Sequence, residues 1–93
     1  MKKTYKVILT PDINGFSVYV PDFNCNTQGK DIDNSLFMAR DVIGVMGDTL
    51  CIMGKSIPEP DSVSYVAKEN DIVKFVDVDF DEYHKKMSNL KSD

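Results

Sequence analysis

Alternating apolar and polar residues near the start of the chain predict a β-hairpin. Residues 4–10 (TYKVILT) are β-branched and apolar with partial alternation, and residues 16–20 (FSVYV) alternate strictly. A short loop ending in an Asn-Gly pair joins the two runs, and such pairs favour tight turns. Residues 25–28 (CNTQ) are expected to add a short third strand before Gly29 turns the chain.

Apolar residues then recur every three or four positions from about residue 31 to residue 53, which predicts one long α-helix. Asp31 is a suitable N-cap, and Gly54 is placed to end the helix. One apolar stripe is expected to pack on a sheet: Ile32, Leu36, Ala39, Ile43, Met46, Leu50 and Met53. A second stripe makes the apolar surface wider than one sheet face needs: Met38, Val42, Val45 and Ile52.

Two glycines, Gly44 and Gly47, lie inside this helix, where each costs about 1 kcal/mol relative to alanine. They are either tolerated weak positions or the place where another backbone approaches closely. The pattern alone leaves both interpretations open.

After the helix, the prolines of residues 56–61 (SIPEPD) predict a rigid, extended connection. Residues 62–70 show no clear pattern, and residues 72–80 (IVKFVDVDF) predict a strand with one apolar and one acidic face. Asp81 is expected to cap a short terminal helix with Tyr83, Met87 and Leu90 along one side.

The predicted order is β-β-β-α-β followed by a short C-terminal helix. This order indicates an α+β fold, in which a small, largely antiparallel sheet has one long helix packed on one face. The expected domain covers residues 1–80, and residues 81–93 form an exit helix and tail.

Composition narrows the classes of function. The 93 residues, 42% of them hydrophobic, suffice for one small core, and the net charge of −4 argues against a nucleic-acid-binding surface. No apolar run is long enough to span a membrane, so a soluble cytoplasmic protein is expected. Cys25 and Cys51 are far apart and are expected to be free, buried thiols.

No set of residues predicts catalysis or a bound cofactor. Asp12, Asp22, Asp77 and Asp79 could in principle form a metal-dependent nuclease site. However, the first two each follow a proline at opposite ends of one predicted strand, and the other two alternate with valines as on a solvated strand face. His84 lies in a charged stretch with no evident partner. We therefore expect no enzymatic activity.

Several motifs, in order, resemble the HicB-like antitoxins. They are the Pro-Asp-x-x-Gly loop at residues 11–15, Val-Pro-Asp at 20–22, Thr-Gln-Gly at 27–29, SIPEPDS after the helix, and VDVDFDEYHKK near the end. The resemblance covers nearly the whole chain. It implies a partial RNase-H-like fold without nuclease activity. It also implies that the chain sequesters HicA, a small basic mRNA-cleaving toxin.

Family members are usually dimers or tetramers, and many carry a C-terminal DNA-binding domain. This sequence ends at Asp93, where that domain would begin, so we expect no DNA-binding domain and no direct nucleic-acid contact. Two alternatives remain open. One is a stand-alone domain that regulates another partner, and the other is a transcriptional autoregulator whose DNA-binding domain is missing from this sequence.

The resemblance and the acidic charge together suggest where partners would bind. Acidic loops are expected to meet a basic toxin surface. The residues predicted to contact the toxin are Asp12, Asp22, Phe23, Gln28, Asp77 and Asp79. Self-association into a homodimer or larger oligomer is also expected, either through the second helical stripe (Met38, Val42, Val45, Ile52) or through an open strand edge.

Overall fold

Four strands form one antiparallel sheet in the computed structural model, which describes residues 1–91. They are β1 (Lys2–Asp12), β2 (Gly15–Val20), β3 (Cys25–Gly29) and β4 (Ile72–Asp79), in the spatial order β3-β2-β1-β4. The helices are α1 (Ile32–Ile52) and α2 (Phe80–Lys91), and a single 3-10 turn (Pro21–Phe23) joins β2 to β3. The predicted α+β class and order of elements are confirmed, while residues 92 and 93 of the predicted tail lie outside the described residues.

The first hairpin turns through Ile13 and Asn14, as the Asn-Gly pair predicts. Asp12 pairs with Gly15, and the Asn14 N–H donates a hydrogen bond to the Asp12 carboxylate (3.0 Å). Gly15 has a φ of +144°, which other residues rarely adopt, and a Cβ there would lie 2.3 Å from the carbonyl oxygen of Gly29. The hairpin turn is therefore packed against the end of β3.

Helix α1 covers one face of the sheet. These sheet residues lie in the core: Tyr5, Val7, Leu9, Val18, Val20, Val76 and Val78. The valines of β2 and β4 among them follow the alternation predicted for those strands. Ala39 and Ile43 of α1 are fully buried against them. Asp31 caps α1 as predicted, since its carboxylate accepts a hydrogen bond from the Asn34 N–H at 2.7 Å.

The two predicted stripes of α1 do not separate into a core side and an outer side. Val42, assigned to the second stripe, packs against the core, whereas Met38 and Val45 are half-buried and Ile52 is exposed. Five residues assigned to the first stripe pack as expected: Leu36, Ala39, Ile43, Met46 and Leu50. Its end residues, Ile32 and Met53, are exposed. Within residues 1–91, no helix is long and apolar enough to cross a membrane.

Helix α2 begins one residue earlier than expected and has a different cap. Asp79, rather than Asp81, accepts hydrogen bonds from the backbone N–H groups of Asp81 and Glu82. The Asp81 carboxylate instead pairs with the amino terminus of Met1. Phe80, predicted as the last strand residue, is the first residue of α2 and is buried in the core. The predicted position of the Leu90 side chain lies outside the described residues.

The two glycines of α1 explain how α2 docks. A Cβ on Gly44 would lie 2.4 Å from the Tyr83 ring, and a Cβ on Gly47 would lie 2.3 Å from the Phe80 ring. The close approach left open by the sequence therefore occurs, but the approaching groups are aromatic side chains rather than a backbone.

The connection between α1 and β4 is tied to the sheet at several points. The Tyr5 hydroxyl donates to the Pro58 carbonyl (2.6 Å), and Lys3 pairs with Glu59 at 3.0 Å. Further along, the Tyr65 ring lies against the Tyr19 ring, with 5.5 Å between centroids. Residues 62–70, ambiguous in sequence, therefore contribute to the sheet face opposite α1.

Burial, with smaller contributions from the charges of Glu59 and Asp22, raises the pKa of Tyr5 from its usual 10.0 to about 12. The folded protein thus keeps the Tyr5 proton at pH values where the unfolded chain releases it. The contribution of the protonated Tyr5 to stability is complete below pH 10 and is lost as the pH rises towards 12. We expect the urea midpoint to fall across this range, and to fall less steeply in Tyr5→Phe.

Burial is also the chief cause of the raised pKa values of Tyr65 and Tyr83. Part of the loss of stability at alkaline pH will therefore remain in Tyr5→Phe. At neutral pH, Tyr5→Phe is expected to cost about 1 kcal/mol through the lost hydrogen bond to Pro58. If the urea midpoint falls equally steeply with pH in Tyr5→Phe and in the original protein, the raised pKa of Tyr5 does not contribute to stability.

Candidate functional site

Two of the residues predicted to contact a partner lie in the interior. Asp22 is 8% exposed, and its carboxylate accepts hydrogen bonds from Asp61 N–H (3.0 Å), Ser62 Oγ (3.3 Å) and Val63 N–H (3.1 Å). Phe23 is also 8% exposed, and its ring meets the Tyr5 ring edge-to-face at 5.1 Å. The expectation that both side chains face a partner is corrected, because Asp22 anchors the long connection and Phe23 belongs to the core.

Asp77 and Asp79 lie together at the β4 edge, but both are already engaged. The Asp77 carboxylate accepts a hydrogen bond from the Thr4 hydroxyl (2.5 Å), and Arg40 Nε donates to the Asp77 carbonyl (3.0 Å). Asp79 caps α2 and lies 3.8 Å from the amino terminus. Lys2 and Lys86 line the same cleft, so its charge is mixed rather than acidic.

Asp12 and Gln28 are brought together at the opposite side of the sheet. The hairpin turn packs on the end of β3, so both residues line one shallow cavity of about 290 Å³ together with Ile13. Ile13 is 99% exposed. Helix α1 starts directly after this point, which adds Asp31 and Asp33. We call this surface the hairpin end: Asp12, Ile13, Gln28, Asp31 and Asp33.

The carboxylates of the hairpin end are not neutralised by the chain. Among the described side chains, no basic group lies within 4.0 Å of Asp12, Asp31 or Asp33. Elsewhere acidic groups do have such partners, as in the pairing of Asp61 with Lys6 at 3.8 Å. The hairpin end therefore combines three carboxylates that form no ion pair with one fully exposed apolar side chain. With the neighbouring Lys30 counted, its charge is still negative, an arrangement that suits a basic protein partner.

A groove lined mainly by uncharged polar side chains continues from the hairpin end along the outer edge of β3. Its volume is about 790 Å³, and amide side chains dominate its lining: Asn14, Asn26, Gln28 and Asn34. Met38 of α1 forms one wall, and Lys30 is the only charged residue in the lining. The groove reaches both faces of β3, so the edge of this strand is open to solvent.

The pairing of His84 with Asp48 was missed in the sequence. Asp48 of α1 is only 5% exposed, and its carboxylate lies 2.7 Å from Nδ1 of His84 on α2. One available signal was the aspartate itself, which interrupts an apolar stretch of the helix. The pair links the two helices, and no group of three His, Cys, Asp or Glu side chains within residues 1–91 is placed to hold a metal ion.

Both cysteines are free thiols, but neither is fully buried as expected. Cys51 is exposed near the end of α1, where the helix has passed the sheet, and Cys25 is half-buried on the edge strand β3. Partial burial raises the pKa of the Cys25 thiol.

Comparison with known proteins gives one informative relationship. No protein-family model matches the chain, and no curated protein matches it. A chain from the structure of a toxin–antitoxin complex from Streptococcus pneumoniae matches with a TM-score of 0.73 and 23% sequence identity. The match covers 89% of this chain and 73% of that chain, and it shows that the two share a fold.

Proposed function

We propose that this protein is the antitoxin of a toxin–antitoxin pair and that it neutralises a small, basic, mRNA-cleaving toxin of the HicA type. The observation that carries the proposal is the fold shared with a chain of a toxin–antitoxin complex. The ordered motifs that resemble HicB-like antitoxins support the same role. The net charge of −4 favours the antitoxin over the toxin, because an RNA-cleaving toxin needs a basic surface for its substrate.

The hairpin end is the surface proposed to contact the toxin. Its three unpaired carboxylates, Asp12, Asp31 and Asp33, offer charge complementarity to a surface built for phosphates. Ile13 is fully exposed at the tip and provides the apolar contact that charges alone do not. Covering the basic cleft of the toxin in this way would exclude mRNA sterically and electrostatically.

We propose a binding role and no catalysis by the chain itself. Asp12 is the last residue of β1, beside the hairpin turn, and Asp22 lies beyond the other end of β2 with its carboxylate occupied by three donors. A pair arranged in this way does not share a metal ion or a proton. Because the proposed target is mRNA, we propose that the complex acts in the cytoplasm.

The proposal is tested by co-expression with a small basic protein of the HicA type, sought first in the gene next to this one. Co-expression should abolish the toxicity of that protein, and the two should co-purify as a complex. If toxicity persists and no complex forms, the antitoxin proposal fails, and a regulatory role with another partner takes its place.

The contact surface is tested by removing charge from the hairpin end. We expect Asp12→Asn with Asp33→Asn to weaken toxin binding about tenfold at physiological salt, mainly through slower association, with a smaller effect at high salt. Glu69→Gln with Glu82→Gln is the matched control. It changes the net charge equally, and Glu82, like Asp33, lies in the first turn of a helix. Equal weakening by both pairs would place the toxin elsewhere.

A further inference from the structure

We propose that the outer edge of β3 pairs with the β3 edge of a second copy of this chain, which would join two four-stranded sheets into one continuous sheet. The inference starts from the hydrogen-bond pattern of the sheet. In an antiparallel pair, opposite residues alternate between hydrogen-bonded and non-hydrogen-bonded positions. Which positions are which can be read from a single proline.

Pro11 lies opposite Phe16, and it has no N–H, so this pair is a non-hydrogen-bonded one. Alternation then makes Ser17 and Tyr19 the β2 residues that bond to β1. The β2 residues that bond to β3 are consequently Phe16, Val18 and Val20. Their partners on β3 are Gly29, Thr27 and Cys25.

The backbone groups of Asn26 and Gln28 must therefore point away from β2. Together they present two N–H and two C=O groups along the outer edge of β3. Within residues 1–91, no further strand lies beyond β3. The same alternation predicts that the Asp77 carbonyl of β4 points outward from the sheet. Arg40 Nε donates a hydrogen bond to this carbonyl at 3.0 Å, in agreement with that prediction.

The two edges of the sheet differ in how well they are protected. At the β4 edge, Arg40 occupies one outward carbonyl, and Lys74 and Asp77 are exposed charges. Charged side chains of this kind are a common defence against strand pairing. The β3 strand has neither charge nor proline, since its sequence is CNTQG. Of the two edges, β3 is the less protected by charge, although β4 also exposes the side chains of Val73 and Phe75.

The sequence of β3 fits a second copy of itself better than an unrelated strand. Thr27 is the middle residue, and the outward-facing Asn26 and Gln28 lie symmetrically on either side of it. In an antiparallel pair centred on Thr27, Asn26 of each copy lies opposite Gln28 of the other copy. All four outward backbone groups of each strand then form hydrogen bonds across the junction. No like charges meet, and Thr27 faces its own copy at a close, non-hydrogen-bonded position.

Side chains beside the edge extend the contact on both faces. The exposed amides of Asn26 and Gln28 would hydrogen-bond across the junction on the face opposite α1. On the other face, Met38 lines the groove beside β3 and would approach its counterpart across the two-fold axis. This assigns Met38 of the predicted helical stripe to the contact. The short strand indicates an interface at the small end of the known range, and hence a weak dimer.

Sedimentation equilibrium over a wide concentration range tests the proposal. The chain should change from monomer to dimer in the micromolar range. Asn26→Pro removes an outward N–H without removing a bond to β2, and it should weaken the dimer about tenfold or more. Val73→Pro, at an outward-facing position of the β4 edge, is the matched control and should leave the dimer unchanged. A monomer at every concentration, or a dimer that resists Asn26→Pro, overturns the proposal.

Cysteine cross-linking tests the register, in a background where Cys25 and Cys51 are serine. In the proposed pair, the two Thr27 Cα atoms lie about 4.5 Å apart, so Thr27→Cys should form a disulfide-linked dimer on mild oxidation. The two Asn26 Cα atoms would lie about 8 Å apart, and Asn26→Cys should cross-link poorly. Equal cross-linking at both positions rejects the register.

These outcomes are separate from those of the proposed function. A chain that stays monomeric but still neutralises the toxin overturns the β3 dimer and leaves the antitoxin role intact. A monomer whose toxin binding is lost in Asn26→Pro would assign the β3 edge to the toxin instead of a second copy.

Discussion

Asp22→Ala is expected to lower the free energy of unfolding by about 2–4 kcal/mol, the largest effect of any exchange at a polar position of this protein. The carboxylate is buried and accepts three hydrogen bonds, from Asp61, Ser62 and Val63. The exchange removes all three and leaves the two backbone N–H groups without an acceptor. Urea denaturation followed by circular dichroism measures the change in stability.

Local readouts distinguish loss of this anchor from general destabilisation. The backbone N–H groups of Asp61 and Val63 should exchange with solvent much faster in Asp22→Ala, while those of the β1–β2 pairing change only as far as global stability does. The stability of Asp22→Asn should lie between that of the original protein and that of Asp22→Ala. The amide still offers one acceptor oxygen, but it places an N–H group towards a donor.

Asp12→Ala is the matched control, since Asp12 also follows a proline at the end of a strand. Its carboxylate accepts hydrogen bonds from Asn14 N–H and Ser17 Oγ, but the side chain is exposed, so water replaces the lost bonds. We expect it to cost less than about 1 kcal/mol. Similar losses of stability for the two alanine variants would contradict the role assigned to Asp22.

The contrast between Asp12 and Asp22 shows what the sequence can and cannot predict. Both stand in the same Pro-Asp pattern, which correctly predicts a strand end nearby: Asp12 is the last residue of β1, and Asp22 lies two residues beyond the end of β2. It contains nothing about Asp61, which lies 39 residues from Asp22 and is brought to it only by the folded connection. The pairing of His84 with Asp48, 36 residues away, escaped prediction for the same reason.

Elements with a regular period were predictable because one face of each is buried. Alternation placed Val18 and Val76 in the core, and the three-to-four spacing placed Ala39 and Ile43 there. The ends of α1 were less predictable: Ile32 continues the periodic pattern but is exposed. Periodicity identifies a face of a helix, whereas the extent of the covering sheet decides how much of that face is buried.

The candidate site was predictable only in part. Asp12 and Gln28 were identified separately, and the packing of the hairpin turn on the end of β3 brings them into one surface. Asp31 was predicted only as the N-cap of α1, and Asp33 lies in the first turn of the same helix. Their contribution to the hairpin end depends on the fact that no basic group among the described side chains lies within 4.0 Å of them, which is a property of the folded chain rather than of the local sequence.

The second large effect is expected at Gly47, where alanine should destabilise the protein although it favours helices. In an isolated helix, Gly→Ala is worth about 1 kcal/mol of added stability. Here the new Cβ would lie 2.3 Å from Cε1 and 2.5 Å from Cδ1 of Phe80, a ring that is only 5% exposed. Overpacking of this kind typically costs about 1–3 kcal/mol, and Gly47→Val should cost more. The measurements are urea denaturation and hydrogen exchange of the α2 backbone.

Gly44→Ala is the comparison that separates overpacking from helix propensity. Its Cβ would meet the Tyr83 ring at 2.4 Å, but Tyr83 is half-buried near the surface and has room to turn away, so the cost should be smaller. Combining Gly47→Ala with Phe80→Leu should recover part of the loss, because the smaller side chain makes room for the methyl group. If Gly47→Ala stabilises the protein, the ring does not approach the helix this closely, and the glycines are only weak positions. If the double variant recovers stability, Gly47 is a site at which α2 docks on α1 through Phe80.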